Sequence, residues 1–475
     1  MSVGGSMVFS SNIFIFCFLP LTLIGYFLLD KKFQNYFLLL ISIIFYAWGE
    51  VTFVFIMILS MVINYIFTIL IDRYRKIKKL SNILLVGSIG LNLGILINFK
   101  YLGFIIENIN NLTGSAIPEV TVALPIGISF FTFQALSYVI DVYRNQVPVQ
   151  KNPFYLALYI SFFPQLIAGP IVRYIDIEKQ ITERSNSLEN FSHGAKRFMV
   201  GVSKKVLLAN TLALVADKAF TVPHSELSVT FAWLGAFAYS FQIFFDFSGY
   251  SDMAIGLGEM FGFHFLENFN YPYISKSISE FWRRWHMSLG TWFRDYVYFP
   301  LGGSRVKRNS RVVFNLFVVW FLTGLWHGAS WNFVIWGLLY FILITFEKLS
   351  GYPKKFEKKI FIRIYQLFTL LCILMGWVLF RSEGLRNAVN YIKAMFKIDN
   401  NLLINNLTFV YIDEFKFYFI FAILFSIPLK NILFKKAKHS NKFQSLENIC
   451  TIILFLVSIA YLSVGSYNPF IYFNF

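Results

Sequence analysis

The stretch Phe321-Leu322-Thr323-Gly324-Leu325-Trp326-His327-Gly328-Ala329-Ser330-Trp331-Asn332-Phe333 decides how the chain is read. The residues before it, 312–320, and after it, 334–346, are those of membrane-spanning helices, so the stretch is the turn of an apolar helical pair. A histidine in such a place is expensive to bury, and an ionisable side chain within a membrane is a functional candidate by default. At neutral pH an imidazole is also the side chain best suited to take and return a proton.

The composition extends this reading to the whole chain. Of 475 residues, 57% are hydrophobic and 14% charged, where a soluble domain carries about 25% charged residues. The expected fold class is therefore an all-α polytopic membrane protein. Apolar runs long enough to cross a bilayer number about eleven or twelve, at roughly 20 residues each. Candidates lie near 8–29, 34–48, 51–71, 82–99, 122–140, 154–171, 198–216, 229–247, 312–327, 332–346, 360–380, 415–433 and 448–464. Some of them are expected to be short, re-entrant or interfacial, chiefly between Pro125 and Pro170 and between Gly249 and Pro300. The 58 phenylalanines either fill space between irregular helices or, the default reading beside abundant Ile, Asn and Lys, only reflect an AT-rich genome.

The formal net charge of +17 does not point to nucleic acid. The basic residues fall in short clusters between apolar runs, as expected of cytoplasmic loops facing anionic lipids. The strongest cluster is Arg73, Arg75, Lys76, Lys78 and Lys79; others lie at 31–32, 204–205, 305–311, 354–359 and 430–442. Residues 107–119 and 399–414 are neutral or acidic and read as outside. Threading the first runs puts the N-terminus outside, 30–33 inside, 48–51 outside and 72–80 inside; the C-terminal end then falls outside. Cys17, Cys372 and Cys450 all lie in apolar runs, which argues against a disulfide framework or a metal site. Residues 1–6 read as an added leader with Met7 a plausible native start, and residues 7–475 read as one membrane domain, with no linker and no internal repeat.

Residues 241–346 hold the core motifs. Gln242, Asp246, Ser248, Asp252, Glu280, Arg283, Arg284, His286, Arg294, Asp295 and His327 interrupt the apolar background there. From Ile274 to Arg294 the residues Ile274, Ile278, Phe281, Trp282, Trp285, Leu289 and Trp292 recur at helical spacing. The pattern predicts an amphipathic helix, with Ser275 or Ser277 as cap and Glu280 near the first turn. It reads either as a helix at the headgroup level or as one that dips inward and presents His286 to a cavity. Asp246, a carboxylate among aromatics, needs a partner, for which Arg283, Arg284 and Lys276 are candidates; a structural ion pair is the default over a catalytic role. The prolines and glycine of Phe162-Phe163-Pro164-Gln165-Leu166-Ile167-Ala168-Gly169-Pro170 either line a cavity or bend a helix. No phosphate loop, G-x-S-x-G elbow or H-E-x-x-H motif is present.

Several motifs together resemble the membrane-bound O-acyltransferase (MBOAT) family. They are Phe247-Ser248-Gly249-Tyr250-Ser251-Asp252, Phe281-Trp282-Arg283-Arg284-Trp285-His286-Met287-Ser288-Leu289, Trp292-Phe293-Arg294-Asp295-Tyr296 and Leu325-Trp326-His327-Gly328. The likeness is nearest to the bacterial alginate O-acetylation (AlgI-like) branch, and it extends to Met7-Val8-Phe9-Ser10-Ser11, to Leu124-Pro125-Ile126-Gly127-Ile128-Ser129-Phe130, to Gln165-Leu166-Ile167-Ala168-Gly169-Pro170-Ile171 and to Pro469-Phe470-Ile471-Tyr472-Phe473-Asn474-Phe475. Asn474 stands where a basic residue is more usual. The sister branch of teichoic acid D-alanyl transfer proteins (DltB-like) shares the two histidine motifs.

The resemblance implies a ring of tilted helices around a thin central floor or tunnel in a bacterial plasma (inner) membrane. It implies acyl transfer from a cytoplasmic thioester, acetyl-CoA or an acyl carrier, to a hydroxyl on an extracellular or cell-wall polysaccharide. No permanently bound cofactor is expected. The implied partners are an extracytoplasmic transferase or a small membrane protein that receives the acyl group, besides anionic lipids. His327 aligns with the family's active-site histidine and His286 with the second one. Candidate substrate-binding residues are Arg283, Arg284, Lys276, Asp246, Gln165, Trp326 and Asn332. The competing readings are D-alanyl transfer to teichoic acid and a transporter or flippase that makes no covalent bond.

Overall fold

The computed structural model describes residues 7–118, 120, 122–398, 401–433, 440–465 and 467–471. The leader at 1–6, Glu119, Asp399, His439, most of the basic cluster at 430–442 and the motif end at 472–475 lie outside these residues. Among the described residues every regular element is helical. Among the described residues seven helices are long and apolar enough to cross a membrane by length and composition: Val54–Arg73, Lys78–Thr113, Leu188–Thr221, Asn309–His327, Trp331–Ser350, Lys359–Arg381 and Asn441–Ser463. The remaining apolar runs form other helices, among them the shorter Phe14–Leu28 and Ile128–Tyr143.

Many large apolar side chains face outward: Phe55 is 70% and Leu367 68% exposed, with Phe16, Leu59, Phe409 and Leu456 of the same kind. In water such surfaces would drive association. Lipid solvates them, and helices satisfy their own backbone groups, which is the condition for crossing hydrocarbon. The chain is a membrane protein.

The chain divides into two compact units. The first comprises residues up to Phe198 together with Tyr250–Leu266. Its innermost helix, Ile128–Tyr143, packs against Val54–Arg73 and Lys78–Leu96 and is buried on nearly every side. The predicted run at 154–171 is not one helix. It breaks into Pro153–Ser161 and Phe163–Leu166 because Phe162 adopts an extended backbone and Pro164 sits in the first turn of the second piece, where a missing N–H costs nothing. Phenylalanines fill the gap: Phe163 meets Phe9, Phe14, Phe18 and Phe45, and Phe9 stacks on Tyr250 with ring centroids 4.6 Å apart.

The second unit comprises Met199–Gly249 and the chain from Glu267 onward. Its core is aromatic, with Phe281, Trp285, Trp320, Trp336, Tyr340, Trp377 and Phe380 buried. The helices Asn309–His327 and Trp331–Ser350 run alongside each other through small residues. A Cβ at Gly337 would lie 2.4 Å from the Trp320 carbonyl oxygen, and one at Gly324 would lie 2.4 Å from that of Phe333. Only glycines permit this approach, the usual device for packing helices where lipid supplies no hydrophobic drive.

A strap at 467–471 closes the second unit. Tyr467 donates to Asp217 (2.9 Å), Asn210 to Asn468 (3.0 Å) and the Ile471 N–H to Asp246 (2.9 Å), while Lys205 donates to the Pro469 carbonyl.

Candidate active site

The segment around His286 departs from the single amphipathic helix that its pattern predicts. It consists of Ile278–Trp282, a turn, Met287–Phe293 and a π-helical turn Arg294–Tyr298. The Ser277 side chain caps the first piece by accepting the Glu280 N–H (3.1 Å), as its position suggests. A second cap comes from outside the segment. Glu347 of Trp331–Ser350 accepts the Ile278 and Ser279 N–H groups at 2.7 and 2.8 Å. The carboxylate thus satisfies two backbone donors that a helix start leaves open.

The break falls on His286, whose backbone is left-handed (φ 46°, ψ 53°). A non-glycine residue there costs about 1–3 kcal/mol and persists only where its surroundings impose it. Asn268 imposes it. Its carbonyl accepts the Met287 N–H (2.9 Å), and its Oδ1 meets His286 Nδ1 (3.1 Å), the Ser288 N–H (3.2 Å) and the Ser288 hydroxyl (2.9 Å). The turn therefore directs His286 inward, onto the Phe247 ring at 4.6 Å and the Trp326 ring at 5.8 Å between centroids. His286 lies outside the seven candidate spans, and burial pushes its imidazole down to about 3. It is neutral at neutral pH.

His327 ends its helix, and Gly328 follows in extended backbone. The imidazole is 3% exposed and enclosed edge-to-face by Trp326, Trp336 and Phe380, at 4.9, 5.0 and 5.2 Å. A Cβ at Gly328 would collide with the Phe333 ring, so glycine lets the chain turn tightly beside the histidine. Trp326 touches both imidazoles. The second unit thus brings His286, Trp326 and His327 together, with two imidazoles in an apolar enclosure.

The other predicted site residues are placed as follows. Asp246 is buried and pairs with Lys205 (2.5 Å), not with Arg283, Arg284 or Lys276. Its helix neighbour Phe247 touches His286. Arg284 pairs with Glu280 (2.9 Å) and donates to the Asn270 carbonyl, while Lys276 and Arg283 are exposed. Asn332 is buried and its amide is committed to the Leu379 and Ser382 carbonyls. Gln165 belongs to the first unit, where its amide donates to the Tyr159 carbonyl (2.6 Å). Asn268, Glu347 and Lys205 are absent from the predicted set. Glu347 and Lys205 carry a signal, a charge at the border of an apolar run; Asn268 carries none that distinguishes it from Asn270. Among the described residues no three His, Cys, Asp or Glu side chains gather to hold a metal.

Residues 119–383 match the family described as MBOAT, membrane-bound O-acyltransferase family. This chain belongs to that family. The matched region contains both histidines and the whole second-histidine segment. The chain is 39% identical, over 99% of its length and all of the relative, to the probable alginate O-acetylase AlgI of Pseudomonas putida. It is 33% identical, over 99% of its length and 98% of the relative, to the peptidoglycan O-acetyltransferase of Helicobacter pylori. It is 32% identical to the teichoic acid D-alanyltransferase of Bacillus subtilis, over 49% of this chain and 61% of that protein. As a membrane-bound O-acyltransferase the chain is an acyltransferase, and the transporter reading is set aside.

Proposed function

We propose that this membrane O-acyltransferase moves acetyl groups from a cytoplasmic thioester, acetyl-CoA, to a hydroxyl of an extracytoplasmic polysaccharide in a bacterial inner membrane. The observation that carries the chemistry is the aromatic enclosure of His327 beside Trp326 and His286. A thioester is an activated donor, but an alcohol is a poor nucleophile until deprotonated. His327 takes the hydroxyl proton as the oxygen attacks the acyl carbon; the C–S bond then breaks and the proton passes to the leaving thiolate. His286 orients the donor carbonyl or the acceptor, or donates to the developing oxyanion. The exposed Lys276 and Arg283 suit the phosphates of coenzyme A, or equally anionic lipid headgroups. An extracytoplasmic transferase or a small membrane protein is the expected recipient where transfer is not direct.

Full-length relatives named for alginate and for peptidoglycan support O-acetylation over D-alanyl transfer, for which the named relative matches about half the chain. The test uses purified protein in lipid with acetyl-labelled coenzyme A and a polysaccharide or partner acceptor. Wild type releases thiol and transfers label; His327→Ala inserts and accumulates but transfers none, and His286→Ala loses most activity. Label transfer by His327→Ala at the wild-type rate would sink the assignment of the base. Transfer only from a D-alanyl carrier protein would favour the second reading.

A further inference from the structure

The hydrogen bonds around Asn268 determine which nitrogen of His286 carries its proton. Asn268 Oδ1 accepts the backbone N–H of Ser288 at 3.2 Å. A backbone N–H can only donate, so this side-chain atom must be the amide oxygen and not the amide nitrogen. The usual ambiguity between the two ends of an asparagine is thereby removed. The same oxygen lies 3.1 Å from His286 Nδ1. An amide oxygen cannot donate, so Nδ1 must be the donor and carry the hydrogen. In a neutral imidazole the lone pair then resides on Nε2. The Ser288 hydroxyl donates to the same oxygen at 2.9 Å, which keeps Asn268 oriented. Asn268 is fully buried, and its backbone carbonyl is fixed by the Met287 N–H, so the amide has no easy route to turn over.

The geometry points to Asn268 as a positioning residue that locks neutral His286 in the Nδ1–H tautomer, leaving Nε2 as a hydrogen-bond acceptor toward an O–H or N–H of the substrate. This deepens the acyl-transfer reading and, for its role in catalysis, rests on it. It narrows the part His286 plays. A neutral imidazole with its lone pair on Nε2 does not donate from that nitrogen to an oxyanion. It holds the hydroxyl of the acceptor, or an amide N–H of the donor's arm, in line for His327. Burial against Phe247 and Trp326 supports the neutral form.

The test is nitrogen-15 NMR on histidine-labelled protein in lipid bilayers, with the His286 signals assigned by their loss in His286→Gln. It needs no substrate. Wild type at neutral pH is expected to show a protonated Nδ1 and an unprotonated Nε2. Asn268→Asp keeps an acceptor and should keep Nδ1 protonated. Asn268→Leu removes the acceptor and should release the tautomer, with a loss of about a hundredfold in kcat, the lower end of what a positioned acid–base group contributes, and little change in KM. A protonated Nε2 in the wild type, or an unchanged tautomer in Asn268→Leu, overturns the proposal. If neither variant accumulates, the wild-type spectrum alone decides. A wild type that has Nδ1–H but transfers no acetyl group sinks the acetyl-transfer reading and leaves the tautomer standing.

Discussion

His327 and Asp246 are both ionisable side chains in oily surroundings, and the structure gives them different work. His327 is enclosed by aromatic rings. Asp246 sits against Lys205 and accepts the Ile471 N–H, so it ties the Met199–Gly249 part of the second unit to the strap at 467–471. Removing one partner of a buried pair leaves an uncompensated charge and costs about 3–5 kcal/mol. Asp246→Ala should therefore lower the melting temperature in detergent markedly. The double variant Lys205→Met/Asp246→Leu should regain part of the loss, since both charges go together. If Asp246→Ala melted like wild type yet lost activity, Asp246 would be a substrate group instead. From sequence, the need for a partner was legible in Asp246, but its identity was not. The candidates at 276–284 lie in the same polar motif stretch, whereas Lys205 is reached by packing one apolar helix on another. Asn268 was illegible for the same reason: an asparagine acquires meaning only when folding sets a backbone N–H and an imidazole around it.

At the scale of elements, the helical pair carrying His327 could be read from its two apolar runs and the turn between them. The break at 162–164 was signalled by its proline, but the one at His286 was not. The pattern at 274–294 is helical throughout, and nothing in its periodicity reveals that His286 takes a left-handed backbone. That break is imposed by Asn268, which lies outside the patterned segment. The pair itself depends on Gly337, where the nearest obstacle to a side chain is backbone and cannot swing away. Gly337→Ala should destabilise the protein by about 1–3 kcal/mol, the usual cost of overpacking, and reduce transfer by shifting the end of the helix that bears His327. Gly90 makes the contrast: it lies within Lys78–Leu96, and a methyl group added to it would meet nothing within 4 Å. Gly90→Ala should be neutral or stabilising by up to about 1 kcal/mol, from helix propensity alone. Melting curves of the two variants side by side check the comparison; equal shifts would mean that the close approach at Gly337 does not constrain the pair.

For the whole molecule, composition was the strongest guide, because a chain this apolar and this poor in charge has no soluble solution. One apolar run, 154–171, is cut into short pieces by the irregular backbone at Phe162 and by Pro164. Charge placement adds a direction that packing does not. The helix Lys78–Thr113 is 36 residues long, roughly 54 Å at the helical rise, and a hydrocarbon core is about 30 Å thick. A helix of this length that crosses the core puts its two ends on opposite faces. The basic end adjoins Arg73, Arg75 and Lys76, and the positive-inside rule assigns it to the cytoplasm. The other end leads to Ala116 in a neutral segment. In a background where Cys17, Cys372 and Cys450 are serine, Lys76→Cys should react with an impermeant maleimide only after the membrane is opened from the cytoplasmic side. Ala116→Cys should react in intact cells from which any outer barrier has been removed. The reverse pattern would invert the whole threading, and with it the side from which the thioester donor is proposed to approach.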